Sequence, residues 1–236
     1  MREIDSAHSP GTVGVICGSL ARYRQLFTSL DRLKVPRGTT LLYAEGADLA
    51  QNCNKLVENM TGEWLWIMGD DHQFKPDVLL NLLNHNVGIV VPTVCRRRPF
   101  FHPVIYSIAA LDGSKGQMHS WPSLSEEHHN DKLIKVEAAG SAGMLVRKYV
   151  FNTIPTPWFE WKGTTSEDVV FCWKARQAGF FIHADLTQTL GHITSCNLEP
   201  VRKPNGQWEM AITIDGYQIV LTPNANTQTW EVKNNA

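Results

Sequence analysis

Up to Pro92, apolar residues recur alternately at strand and helix spacing. "TVGVIC" (12 to 17) is a short β-rich run, and Leu26, Phe27, Leu30 and Leu33 follow at helical intervals. "TLLYA" (40 to 44) predicts a second strand. Leu49, Cys53, Leu56, Val57 and Met60 then share one helical face. "EWLWIM" predicts a third strand. Pro76 suits the first turn of a helix carrying Val78, Leu79, Leu82 and Leu83, and "VGIVVP" (87 to 92) is the fourth strand. This β-α-β-α order predicts an α/β fold, a parallel sheet with helices on both faces, of a nucleotide-binding type.

Beyond Pro92 the pattern changes and predicts a mixed, less regular sheet, so the whole is expected to be mixed and mostly parallel. Strand-like pieces near 103 to 111, 133 to 137 and 143 to 147 are separated by a polar loop from Asp112 to Asp131. Val169 to Ala178 predicts a helix, with Ser166 as N-cap, Glu167 and Asp168 in its acidic first turn, and Gly179 as C-cap. A short β run covers Phe180 to Ala184. From Glu199 the chain resembles a hairpin turned at Asp215-Gly216. The expected organisation is a main domain, 1–198, and a small β-hairpin extension, 199–236.

Composition removes some classes. With 22 Lys+Arg against 23 Asp+Glu the formal net charge is -1, so no global field favours nucleic acid. Arg96, Arg97 and Arg98 are a local exception, for which a solvated surface patch is the simpler account. No apolar segment approaches the roughly 20 residues of a membrane span. Five scattered cysteines without a CxxC pair predict reduced thiols and a cytoplasmic protein rather than a disulfide framework.

Chemistry enters where "WLWIMGDDHQFKPD" turns from apolar to charged. Two carboxylates and an imidazole (Asp70, Asp71, His72) cannot enter a core unpaired. At the carboxyl edge of an α/β sheet they suit a divalent cation such as Mg²⁺ or Mn²⁺, although a solvated turn is an equal account. Glu167 and Asp168 are either ordinary helix capping or a general base beside a cleft. His192, in "LGHITS", gains interest only from its place after these two groups.

That order, over Thr12 to His192, resembles glycosyltransferase family 2, whose fold is GT-A. The family's "LFLDDDM" is matched by "WIMGDDH", and its "ARNxLV" by "NCNKLV". "GEDxDFCxRAxxAGF" is matched by "SEDVVFCWKARQAGF", and a late His by His192. The resemblance implies Asp71 and His192 as ligands of Mn²⁺ or Mg²⁺. Donor-binding positions would be Asp70, Asn54, Arg97, Arg98, Gly140, Ser141 and Ala142. It implies Asp168 as catalytic base and Glu167 as an orienting acid. Gly69 stands where the family has its first Asp, and Cys53 where it has Arg. The substrates implied are a UDP- or GDP-linked sugar donor and a carbohydrate or glycoconjugate acceptor. The competing readings are a metal-dependent phosphohydrolase or nucleotidyltransferase, and a non-catalytic nucleotide-sugar-binding module.

Overall fold

The computed structural model describes residues 1–18, 23–98, 101–109, 111, 116–224 and 229–232. The chain forms two compact units, one of residues 1–95 and 102–192, the other of 96–101 and 193–236. In the first unit the chain runs β1 (Arg2–Ile4), β2 (Thr12–Ile16), α1 (Arg24–Arg32), β3 (Lys34–Pro36), β4 (Thr40–Ala44) and α2 (Leu49–Asn59). Next come β5 (Trp64–Gly69), β6 (His72–Phe74), α3 (Val78–Asn84), β7 (Ile89–Thr93), β8 (Ile105–Ile108) and β9 (Gln117–Met118). It continues through α4 (Trp121–Glu127), β10 (Leu133–Val136), β11 (Ala138–Ala139), β12 (Met144–Arg147), α5 (Lys148–Thr153), α6 (Glu167–Gln177) and β13 (Ile182–His192).

The main sheet has the order β10-β13-β7-β12-β5-β2-β4, with β6 attached to the end of β13. β4, β2 and β5 are parallel neighbours. The sheet is mixed, as expected for the chain beyond Pro92. β12 inserts antiparallel between β5 and β7, pairing Met144 with Ile67 and Val146 with Ile89. β12 supplies the backbone partners that an edge between β5 and β7 would otherwise lack. The fold is therefore mixed α/β, with six helices among the described residues.

Strand β5 shows why the sheet is buried on both faces. Leu65 and Ile67 belong to the core under α2, α5 and α6, while Trp64, Trp66 and Met68 belong to the core under α1 and α3. Alternate side chains of a strand point to opposite faces, so an unbroken apolar run is what a two-sided burial demands. The two indoles find acceptors, Trp64 Nε1 donating to Ser9 O and Trp66 Nε1 to Gly143 O, each at 2.8 Å.

Two further expectations change. The stretch read as a polar loop contains α4, capped by Ser120; its residues 112–115 lie outside the described residues. The β run expected to end at Ala184 continues to His192. Its polar middle is accommodated by a register shift between Asp185 and Thr189. The buried Asp185 accepts from His85 Nε2 (2.6 Å), from Thr187 N (2.7 Å) and from the Thr187 hydroxyl (2.6 Å), which offsets the cost of burying it.

The second unit is larger than a hairpin. β14 (Cys196–Arg202), β15 (Trp208–Ile214), β16 (Tyr217–Asn224) and β17 (Thr229–Val232) form an antiparallel sheet in chain order. Asp215 and Gly216 turn it with φ of 49° and 80°, the two positive angles a tight hairpin turn requires. Among the described residues no helix is long and apolar enough to cross a membrane.

Candidate active site

The tip of β5 is held by backbone before any side chain acts. Ile16 of β2 lies opposite Gly69 in parallel register, and the Asp70 N–H donates to Ile16 O at 3.0 Å. Asp70 is buried, and its Oδ2 accepts from the Gly18 N–H at 2.9 Å. Asp70 thus ties two strand ends together, the pairing a buried carboxylate requires.

Asp71 and the imidazoles meet because β6 pairs antiparallel with the end of β13, which sets His192 directly opposite His72. Their rings stack with centroids 4.5 Å apart. Asp71 Oδ1 lies 2.8 Å from His72 Nδ1, and Oδ2 lies 3.1 Å from His192 Nε2. His192 Nδ1 is 2.9 Å from Cys95 O. A carbonyl only accepts, so Nδ1 carries the hydrogen and Nε2 turns a lone pair on the Asp71 carboxylate. Two acceptors at that distance need a cation between them, a proton or a metal ion. His72 Nε2 is buried without a hydrogen-bond partner. Burial alone would raise the Asp71 carboxyl, but its close contacts with the His192 and His72 imidazoles hold it well below the usual carboxylate range. Ligand atoms of Asp71, His72 and His192 all lie within 4.8 Å of one another.

Gly69 has a local reason to be glycine. A Cβ there would stand 2.8 Å from Asp71 Oδ1 and 3.3 Å from His72 Nδ1. The side chain that the family pattern places at this position would displace the Asp71–His72 contact.

The second acidic group opens α6. Ser166 occupies the N-cap, but its hydroxyl donates to Asp168 Oδ1 rather than capping the helix. Asp168 Oδ1 also accepts from the Val169 N–H at 2.8 Å. Burial raises the Asp168 carboxyl, opposed by hydrogen bonds from Ser166, Val169 and the Ser141 backbone. Glu167 is 1% exposed with Oε2 unpartnered. Burial, then the neighbouring Asp168, pushes its carboxyl up to about 7. The small-residue loop comes close: a Cβ on Gly140 would be 2.8 Å from Val104 and 3.6 Å from Asp168 Oδ2.

These groups line one cavity of about 860 Å³. Its wall includes Asp70, Asp71, His72, His192, Glu167 and Asp168, with Gly140, Ser141 and Ala142 beside them. Asn54 is occupied elsewhere: its Nδ2 donates to Phe159 O at 2.8 Å and its Oδ1 accepts from Phe159 N at 3.0 Å. Leu49 of α2 lines the cavity, and so does Asn52, whose Oδ1 is buried and unpartnered. Sequence reasoning missed it because the family pattern points two positions further on. His72 was visible at the strand tip, but its antiparallel partner across β6 and β13 was not. Arg97 and Arg98 belong to the second unit, where Arg98 Nε donates to Asp215 Oδ2 at 2.9 Å and its guanidinium lies 5.8 Å from the Tyr217 ring centroid.

No protein-family model and no curated protein matches the chain. Solved structures do. A crystal structure of GalNAc-T7 with UDP, GalNAc and Mn²⁺ is similar with TM-score 0.54 and 10% identity, over 77% of this chain and 43% of that one. This chain therefore spans less than half of that protein's structure. A crystal structure of A197 from STIV matches with TM-score 0.49 and 11% identity, over 95% of each chain. The first likeness shows the fold alone, a mixed α/β architecture similar to that of GalNAc-T7.

Proposed function

We propose that this chain is a metal-dependent glycosyltransferase, moving a sugar from a nucleotide-diphosphate donor to an acceptor hydroxyl with inversion. The observation that carries it is the single cavity in which a His–Asp–His cluster faces an acidic pair, within a fold similar to that of GalNAc-T7 bound to UDP, GalNAc and Mn²⁺.

The donor set fits a metal ion. The His72 Nε2 lone pair is buried and unpartnered, and His192 Nε2 faces a carboxylate across 3.1 Å. Asp71, His72 and His192 would hold the ion, with the Cys95 carbonyl fixing the His192 tautomer. Two imidazoles disfavour Mg²⁺, which takes oxygen ligands, and leave Mn²⁺ as the better occupant of the two. Bound there, the ion would offset charge gained by the departing diphosphate. Asp70, anchored on Gly18, keeps the strand tip in place beneath the nucleotide. Gly140 to Ala142 admit the sugar close to backbone.

Asp168 then serves as proton acceptor from the acceptor hydroxyl. Its hydrogen bonds from Ser166, Val169 and Ser141 orient it and favour its anion. Glu167, with its free Oε2, positions the acceptor. The deciding experiment supplies a panel of UDP- and GDP-sugars with Mn²⁺ and glycan acceptors. Wild type should transfer sugar, while Asp168→Asn should bind donor equally well and lose turnover by about 10²–10⁴-fold. Normal turnover in that variant refutes the base assignment, and donor binding without transfer to any acceptor in wild type refutes the enzyme.

A further inference from the structure

Helix α4 carries a second set of nitrogen and oxygen donors at its two ends, away from the cavity just described. Its start is fixed by a reciprocal cap. Ser120 Oγ accepts from the Ser123 N–H at 3.1 Å, and Ser123 Oγ accepts from the Ser120 N–H at 3.0 Å. His119, immediately before the cap, is 8% exposed, and its N–H donates to Ile105 O at 2.8 Å. Glu127 is the last helical residue and His128 the C-cap. The two imidazoles meet edge to face with centroids 5.7 Å apart. Ligand atoms of His119, Glu127 and His128 all lie within 4.8 Å of one another.

His128 is also oriented. The Asp131 N–H donates back to His128 O at 3.0 Å, a turn that brings Asp131 Oδ2 to 3.0 Å from His128 Nδ1. The carboxylate accepts, so Nδ1 holds the hydrogen and Nε2 is left as a lone pair, 4.0 Å from Glu127 Oε2. A carboxylate fixing one ring nitrogen while the other faces ligating groups is the usual support of a metal-bound histidine. A plain helix-end ion pair would account for Glu127 beside His128. It gives no reason for a buried His119 to converge on the same point.

We propose that His119, Glu127 and His128 form a Zn²⁺ site, with Asp131 as a positioning residue, that ties the two ends of α4 together. Two imidazoles and a carboxylate are zinc ligands that leave a fourth position for water. Zinc bonds of about 2.0–2.2 Å require the donors to draw somewhat closer. The Glu127 side chain, 61% exposed at the helix end, has the freedom to do so. A cavity of about 630 Å³, lined in part by His128, Trp121, Asn130 and Lys132, opens beside the cluster and gives the fourth position access to solvent. The ion also has structural work here. A helix of seven residues is too short to be stable by itself, and a bridge between its ends would hold it.

The test is hydrogen exchange of the full chain with and without Zn²⁺, together with competition against a chromophoric chelator. Zinc should slow exchange across residues 119–128 in wild type. Glu127→Gln, an exposed change that leaves the fold intact, should lose that slowing. Asp131→Asn should weaken zinc held at this site by about 10–100-fold. A site at Asp71, His72 and His192 has no reason to protect α4, so failure of that assignment leaves this readout untouched. Equal exchange with and without Zn²⁺ in wild type, or equal protection in Glu127→Gln, overturns the proposal.

Discussion

Glu167 and Gly69 make opposite demands on their surroundings, one for a charge withheld and the other for a side chain omitted. Glu167 loses its proton near 4.5 when unfolded and near 7 in the folded chain. Between those values the folded state binds more protons, so stability falls as pH rises through this range. Denaturant unfolding from pH 4 to 8 should show this fall in wild type and a much flatter profile in Glu167→Gln. The same proton bears on chemistry: the Glu167–Asp168 pair titrates as a unit, and transfer should increase as pH passes about 7. For Gly69→Ala the expected result is a loss of Mn²⁺ affinity with little change in fold, because the new Cβ meets Asp71 Oδ1 at 2.8 Å. Titration of Mn²⁺ by paramagnetic resonance measures it.

Elements differ in how far the sequence announces them. β4 (Thr40–Ala44) and the apolar face of α2 follow directly from periodicity, with Cys53, Leu56 and Val57 of that face buried. β13 does not, since Asp185 to Gln188 interrupt the alternation. What keeps the strand going is a buried network with His85, 100 residues earlier. α4 was hidden for another reason: it buries only Leu124 among its residues, so it has little apolar stripe to read. The acidic tip after Met68, the acids opening α6 and His192 were all legible as candidates. Their convergence depends on β6 pairing with β13, a long-range contact that no local spacing encodes. Asn54 is instructive here. Its two hydrogen bonds to Phe159 join α2 to the segment before α6, so Asn54→Ala should destabilise the fold by about 1–3 kcal/mol. Donor affinity should be unchanged, which separates a structural amide from a ligand-binding one.

For the whole molecule, the two cores on opposite faces of one sheet make the strand tips rigid. Trp66 is fully buried and its indole holds Gly143 O, directly after the loop that lines the cavity. Trp66→Phe should therefore cost stability through an unsatisfied carbonyl, by about 1–3 kcal/mol, measurable by chemical denaturation. The mixed order of the sheet brings β5 and β13, with the short β6, to one edge, where the His–Asp–His cluster and the acidic pair share a cavity. Under the proposed function this cavity holds one divalent ion together with a nucleotide diphosphate. The most direct measurement is a Mn²⁺ titration by paramagnetic resonance in the presence of UDP or GDP. The proposed metal site predicts tight, nucleotide-enhanced binding in wild type that is abolished in Asp71→Asn and His192→Ala. Mn²⁺ binding of equal strength in wild type and both variants, or none in wild type with either nucleotide, would contradict it.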